Sequence, residues 1–459
     1  MIWNYSSVYF VGIGGTGMSG LAKILCEMNY KVAGSDIIES SNTKRLEEMG
    51  IKIFIGHSRG NIGDADLLVV STAIPSNNPE VLEAKEKGIN IIHRSDLLSK
   101  LMGLKKGIAV AGAHGKTTTS SMVAWILENS KLNPTVIIGG ELNDIGGNAI
   151  LGSGEFLVAE ADESDGSFLR LNPHIAVVTN IEDEHLDYYG STENIKQNFI
   201  EFLNKVPKDG FSLIGSDNSN IVDIMSSIDK KPITFGINTK ANYMARNIIP
   251  NGIESTFDFI VNGNLVGRIT LNIPGLHNIY NALAAAAVCY ELDVNFKCIQ
   301  KSFRSFKGIK RRFQLVGDFQ DIKIIDDYAH HPTEINATLQ AAKQCNPNRL
   351  IAVFQPHRYT RTRDFYREFG NVFNKADEII VTEIFSAGED PINGVTSELI
   401  VDSVKKNELP VTYMQNKDDV TEYLYNKVRP GDYVITLGAG DIWRTAHNLT
   451  LKLGSKLAN

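Results

Sequence analysis

Long apolar runs are missing from this chain, and so is any surplus of basic charge. The 459 residues carry 46 Lys and Arg against 53 Asp and Glu, a formal net charge of −7. That balance gives a polyanion nothing general to grip and argues against nucleic acid or an anionic bilayer as a partner. No stretch is apolar for the roughly twenty residues that a transmembrane helix needs. Cysteine is scarce: Cys26, Cys289, Cys298 and Cys345 form no close C-x-x-C pair, so neither a zinc site of that kind nor a disulfide framework is indicated, and all four are expected as buried small hydrophobes. The N-terminus, MIWNYSSVYFVGIGG, lacks the basic region and cleavage site of a secretory signal, and a cytoplasmic protein is expected. There is no internal repeat and no low-complexity segment. What remains is an ordinary globular composition, 43% hydrophobic and 22% charged, on a chain long enough for about two to four domains.

The rest is organised around Gly107 to Ser121, GIAVAGAHGKTTTSS. An apolar strand, Ile108 to Ala111, delivers Gly112 and Gly115, whose missing Cβ atoms let backbone N–H groups close on phosphate oxygens. A helix predicted to begin at Lys116 aims its N-terminal dipole at the same anion. Ala113 and His114 complete the turn and Thr118 follows it. Lys116 is expected to reach the β- and γ-phosphates, and the Thr117 hydroxyl to bind Mg²⁺. The spacing departs from the usual phosphate loop, which would require glycine where Val110 stands.

Ahead of it, Gly12, Gly14 and Gly17 fit G-x-G-x-x-G between a strand and an amphipathic helix, and Asp36 ends the next strand as in a dinucleotide fold. Strand-like runs at 51–55, 67–71 and 89–92 predict a parallel, Rossmann-like unit ending near Met102, with Lys105 to Gly107 as a linker. Beyond the phosphate loop, strands are predicted at 135–138, 156–159 and 175–178. The last two run into Glu160-Ala161-Asp162-Glu163-Ser164-Asp165 and into Thr179 to Asp187 with His185 at its centre. Ligands of a parallel sheet bind at the carboxyl ends of its strands, so these acids and the imidazole can complete a Mg²⁺ site at the edge that holds the phosphate loop. Sequence leaves open which acid binds metal; Glu160, at the strand end, is favoured over Glu163. Asn251-Gly252 and Asn262-Gly263 read as hairpin turns at the sheet's edge. His277, Asn278 and Asn281 open an alanine-rich helix, as caps or as nucleobase contacts. A third α/β unit begins around Phe313, after the basic stretch Lys307 to Arg312. Its strands, at 323–325, 350–354, 378–381, 410–413 and 432–437, end in polar sets at 326–332, 355–361 and 438–441. A nicotinamide dehydrogenase would account for Gly12 to Asp36 but leave the Lys116 loop idle. A motor or carrier ATPase would account for Lys116 but not for the Arg and His sets of the last unit.

GIGGTGMSG, GAHGKTTT, EADESDGSF, TNIEDEHLDYY, GLHNIYNALAA, DDYAHHPTE and FQPHRYTRT, in that order, resemble the Mur ligase family over nearly the whole length. The resemblance implies a three-domain α/β architecture. An N-terminal Rossmann-like domain (1–106) would bind a UDP-sugar, a central P-loop-type ATPase domain (107–312) ATP, and a C-terminal Rossmann-like domain (313–459) the incoming amino acid. It implies that the first glycine motif grips a uridine diphosphate and no nicotinamide, through Gly12, Gly14, Gly15, Gly17, Ser35, Asp36 and Ser71. ATP would be met by Gly112 to Thr118, with His277, Asn278 and Asn281 on the adenine side. Lys116, Glu160 and His185 would be catalytic, and Thr117, Glu160 and His185 would hold Mg²⁺. The reaction implied is attack of the lactyl carboxylate of UDP-N-acetylmuramate on the γ-phosphate, followed by displacement of phosphate from the acyl phosphate by the amine of L-alanine. Tyr328, His330, Arg358 and Arg361 are the residues onto which alanine recognition carries over. FQPHRYTRT favours alanine over the peptide used by the family's recycling member. A monomer or homodimer is expected. Relatives that add later residues carry a lysine downstream of the metal histidine, modified to a carbamate that helps hold a second Mg²⁺. The corresponding residue here is Phe199, so no carbamate is expected.

Overall fold

The computed structural model describes residues 5–142 and 147–458, which group into two compact units. The first comprises Met1–Arg246, Asp258–Ile269 and Tyr280–Phe306; the second comprises Asn247–Phe257, Thr270–Ile279 and Lys307–Asn459.

In the first unit, alternate residues of Ser7–Val11 enter different cores, Val8 and Phe10 on one face and Tyr9 and Val11 on the other. Such a strand has helices on both sides and belongs in the middle of a parallel sheet. It lies there, in the order Lys52–Ile55, Lys31–Asp36, Ser7–Val11, Leu67–Val70, Asn90–His93. Strand order reverses beside Ser7–Val11, and from its carboxyl end the glycine turn leads into helix Thr16–Glu27, at the switch point where open α/β sheets bind ligands.

In the larger sheet Lys106–Ala111 runs between Phe156–Glu160 and Ile175–Val178, with Val110 opposite Glu160 and Ala111 opposite Val178. That register brings the phosphate loop and both acidic segments off one edge. The expected linker is not one: Lys106 and Gly107 are already in the strand, and Lys105 Nζ donates to the carbonyl oxygens of Gly152 and Gly154 at 2.7 and 2.5 Å. Asn262 and Gly263 both take positive φ, 48° and 84°, the signature of a tight hairpin turn. Phe199 is buried in the core, its ring 5.2 Å from Phe168.

The second unit carries a six-stranded sheet ordered Gln314–Phe319, Ile322–Asp327, Asp432–Leu437, Arg349–Phe354, Glu378–Val381, Val411–Tyr413. All its neighbours pair in parallel except the first two, which form a hairpin. Sequence did not reveal that edge strand, because its turn uses Gln320 and Asp321 at positive φ (49° and 64°) with no glycine to mark it. Among the described residues no helix is long and apolar enough to cross a membrane. All four cysteines are free, but only Cys289 is fully buried, which corrects the expectation for the other three.

Candidate active site

The phosphate loop is shaped by two glycines in conformations that side chains avoid. Gly112 has φ 128° and Gly115 φ 85°. A Cβ on Gly112 would stand 2.3 Å from Thr179 Oγ1, and one on Gly115 2.3 Å from Asn281 Oδ1. The turn is held from outside. Thr179 Oγ1 and Asn180 Nδ2 donate to the His114 carbonyl at 2.6 and 2.9 Å, while the His114 N–H donates to Asn180 Oδ1 at 2.9 Å. Thr117 and Thr118 lie in the first turn of helix Lys116–Asn129, Thr118 buried. Asn281 reaches the loop, accepting from Thr119 Oγ1 at 3.4 Å. Asn278 donates to Pro274 O at 2.7 Å and His277 packs at Gly275, so in their own unit these two shape the turn that opens the helix.

Lys116 bends back over the loop, its Nζ donating to Gly112 O (2.6 Å), Ala113 O (3.2 Å) and Glu163 Oε1 (2.7 Å). Burial works against its charge, but Glu163, with Asp162 and Glu184 beyond it, outweighs burial and raises the pKa, so Lys116 keeps its proton. Glu163, Glu184 and His185 each place a ligand atom within 4.8 Å of the others. Glu163 Oε2 is buried and has no hydrogen-bond partner among the described residues. A carboxylate oxygen desolvated without a donor is costly, and a divalent cation with O and N ligands would satisfy it. His185 has φ 58°, a strained backbone for a non-glycine residue and one that recurs at functional sites. Among the described residues the group does not include Glu160. As the last residue in register with Val110 it faces the sheet, where its Oε1 accepts the Gly139 N–H at 2.6 Å. The chain then turns, Ser164 N–H donating to Asp162 Oδ1 at 3.1 Å, and the turn carries Glu163 to the strand-end crevice. Among the described residues it is Glu163 that stands in the three-ligand group, while Glu160, the acid favoured from sequence, stands beside Gly139.

At the first sheet, Gly12 (φ 78°) and Ile13 donate backbone N–H groups to Ser35 O, at 2.8 and 2.9 Å, and Gly14 N–H donates to Asp36 Oδ2 at 2.8 Å. Gly15 caps helix Thr16–Glu27, Gly17 lies in its first turn, and Ser71 follows the adjacent strand Leu67–Val70. Sequence reasoning missed what stands behind Ser35. Its Oγ donates to Glu80 Oε2 at 2.6 Å and lies 2.9 Å from His57 Nδ1. The fully buried Glu80 carboxylate also accepts from Tyr9 OH (3.0 Å) and Asn61 Nδ2 (2.8 Å). These residues come from separate segments, and no local spacing could have linked them.

In the second unit Asp327 and Phe354 both stand opposite Leu437, so the three polar strand ends share one edge. Asp327 accepts the N–H groups of Phe313 (2.6 Å) and Ala329 (2.8 Å), and burial pushes its carboxyl up to about 6. The guanidinium carbons of Arg311 and Arg312 lie 5.0 and 5.2 Å from the centre of the Tyr328 ring. His330 Nδ1 lies 3.0 Å from Tyr328 O; a carbonyl only accepts, so Nδ1 carries the proton and Nε2 presents a lone pair. Its ring is 5.6 Å from His357, which stacks on Phe385 and lies 3.2 Å from Arg361 Nη1. Burial lowers His330 to about 4 against the opposing pull of Glu334, and burial, then His330 and the neighbouring arginines, lowers His357 to about 3. Arg358, at φ 72°, is held by its N–H donating to Phe385 O at 2.8 Å. The structure thus brings Tyr328, His330 and Arg361 together, places Arg358 as the N-cap of the helix Tyr359–Val372 that carries Arg361, and adds His357, Arg311 and Arg312.

Three family models cover most of the chain: the Mur ligase family catalytic domain at residues 7–106, the Mur ligase middle domain at 110–289, and the Mur ligase glutamate ligase domain at 311–440. The UDP-N-acetylmuramate–L-alanine ligase of Geotalea uraniireducens (strain Rf4) is 49% identical over 458 residues, covering 100% of both chains. That of Pelotomaculum thermopropionicum is 48% identical over 97% of both. Among solved structures, the UDP-N-acetylmuramate–alanine ligase of Thermotoga maritima matches with a TM-score of 0.86 at 29% identity, covering 98% of this chain and 99% of that one. A murein peptide ligase from Psychrobacter arcticus 273-4 matches with a TM-score of 0.70 at 26% identity, covering 98% of both.

Proposed function

The chain belongs to the Mur ligase family, and from that premise we propose that it joins L-alanine to the lactyl carboxylate of UDP-N-acetylmuramate, using ATP and releasing ADP and phosphate. The observation that carries this reading is end-to-end likeness to alanine ligases in a chain whose Lys116, Glu163 and His185 converge on a phosphate loop. Residues 1–106 are assigned to the UDP-sugar, 107–312 to ATP and 313–459 to the amino acid. The recycling ligase, which would add a peptide to the same sugar nucleotide, is the less favoured reading, since the relatives of 48 to 49% identity are named for L-alanine.

Phosphoryl transfer asks for positioning and charge neutralisation more than covalent help. Lys116 supplies a full positive charge to the β- and γ-phosphates, on a loop fixed beforehand by Thr179 and Asn180, so little reorganisation is needed at the moment of reaction. Thr117 and His185 would hold Mg²⁺ together with an acid of the strand end, Glu160 as sequence favours or Glu163 as its place beside His185 and Glu184 favours. Bound there, the ion would neutralise phosphate oxygens as charge develops. In the third assigned domain the Arg358 and Arg361 guanidinium groups are matched to the carboxylate of a free amino acid. His330 Nε2, unprotonated at neutral pH, is an acceptor for its amine, and Tyr328 borders the methyl. A phosphate-release assay with UDP-N-acetylmuramate, ATP and each amino acid in turn tests the reading. Alanine should be preferred; release that depends on a peptide, or that occurs without the sugar nucleotide, would overturn it.

A further inference from the structure

The acidic segment from Asp162 to Asp165 is anchored on two sides. Glu163 faces the phosphate loop through Lys116. Asp162 and Asp165 face the first sheet: Asp162 Oδ2 pairs with Arg94 Nη2 at 2.7 Å, and Asp165 accepts from the Thr72 hydroxyl. Arg94 is oddly placed for a cation. It is the first residue of helix Arg94–Met102, and its Nη1 lies 3.3 Å from where a Cβ of Gly17 would stand, in the first turn of the helix that leaves the glycine turn. Both helix ends carry partial positive charge, so a guanidinium there is favourable only with an anion beside it. Asp162 supplies one, through Nη2; the Nη1 side faces the glycine turn.

We propose that Arg94 takes an anionic oxygen of the sugar nucleotide, and that Asp162 competes for it in the empty enzyme. This rests on the assignment of the glycine turn to UDP-N-acetylmuramate. Binding exchanges one charge-assisted pair for another, and Asp162, released from Arg94, is left near Lys116 at the ATP site. The sugar nucleotide and ATP sites are thereby linked through one three-residue step of chain, Asp162 to Ser164.

The test is titration calorimetry on the full chain with two probes, UDP-N-acetylmuramate and UDP. Arg94→Gln should weaken binding about tenfold to a hundredfold, as loss of a charge-assisted contact does. Weakening of both probes places the guanidinium on the diphosphate; weakening of UDP-N-acetylmuramate alone places it on the lactyl carboxylate. Either result supports the proposal. Asp162→Asn should tighten binding about threefold or more by removing the competitor, and that gain should vanish when Arg94→Gln is also present. Arg94→Lys, which keeps the charge without the fork, should fall between wild type and Arg94→Gln and serves if the glutamine variant folds poorly. Unchanged affinity in both Arg94 variants, or a gain from Asp162→Asn that persists without Arg94, overturns the proposal. The assignment beneath it fails differently: a wild-type chain that does not bind UDP-N-acetylmuramate refutes the site itself. Binding abolished by Gly14→Ala but untouched by Arg94→Gln keeps the site and removes only Arg94.

Discussion

Replacing Lys116 with alanine should do two separable things. The Lys116 and Glu163 side chains are only 19% and 5% exposed, and Lys116 gives Glu163 Oε1 its donor while Oε2 has none among the described residues. Lys116→Ala therefore leaves Glu163 without its counter-ion; burial already pushes this carboxyl up even beside Lys116, so it can take up a proton, and the loss is held to about 1 to 3 kcal/mol. The melting temperature should fall by a few degrees, about 2 to 5 °C. Turnover should fall as well, by roughly 10² to 10³, since an electrostatic stabiliser of the transferring phosphoryl group contributes about 3 to 4 kcal/mol. The second variant, Lys116→Ala with Glu163→Gln, separates the two effects. A neutral amide removes the stranded charge, so the melt should recover most of its loss, while turnover should not recover. The measurements are circular-dichroism melts and phosphate release under saturating substrates and saturating Mg²⁺, with Glu163→Gln alone as the reference for the double variant. Recovery of turnover together with the melt would mean that Lys116 acts through folding and would refute the reasoning, as would near-normal turnover in the single variant.

The parts of the site that sequence revealed are those written in adjacent residues. Gly112, Gly115 and Lys116 sit within one turn, and both their conformation and their chemistry follow from residue type. The strand ends were equally legible, because a buried parallel strand is an apolar run and the polar residue that stops it lies on the ligand edge. What sequence could not decide is direction. Glu160 and Glu163 are three residues apart, yet one turns back to Gly139 and the other reaches Lys116, because Glu160 ends the strand and Glu163 stands at the centre of the turn from Asp162 to Ser164. The set around Glu80 was invisible for a related reason: Tyr9, Ser35, His57 and Asn61 converge only after the sheet has formed. The same holds for the edge strand Gln314–Phe319, whose turn lacks the glycine that local reading depends on.

Because Phe199 is packed in the core against Phe168, activity should be independent of added bicarbonate, and intact mass should show no carbamate on Lys196; a bicarbonate requirement would contradict this. Glu163→Gln should raise the Mg²⁺ concentration for half-maximal activity about tenfold or more, and Glu160→Gln much less, as removing a charged ligand does and removing a partner of Gly139 does not. Arg361→Ala should weaken alanine use about tenfold to a hundredfold in kcat/KM with ATP and UDP-N-acetylmuramate binding near normal. Glycine should be a poor but measurable substrate, since one methyl is worth about 1 kcal/mol; a preference for valine or glutamate would refute the pocket. The last expectation concerns acid. His330 and His357 are lowered to about 4 and about 3 from 6.5, so between pH 6.5 and their folded values the unfolded chain binds protons that the fold does not. Their stabilisation is present above pH 6.5 and lost as pH falls. Asp327, raised to about 6 from 3.8, works in the opposite sense, since the fold holds its proton between those values. His357→Gln removes one of the two histidines, so on going from pH 6.5 to pH 4.5 it should gain about 2 kcal/mol of stability relative to wild type. Urea midpoints of the two proteins at both pH values decide it: equal slopes would show that His357 is already protonated in the fold, and that the charge facing Arg361 has been misjudged.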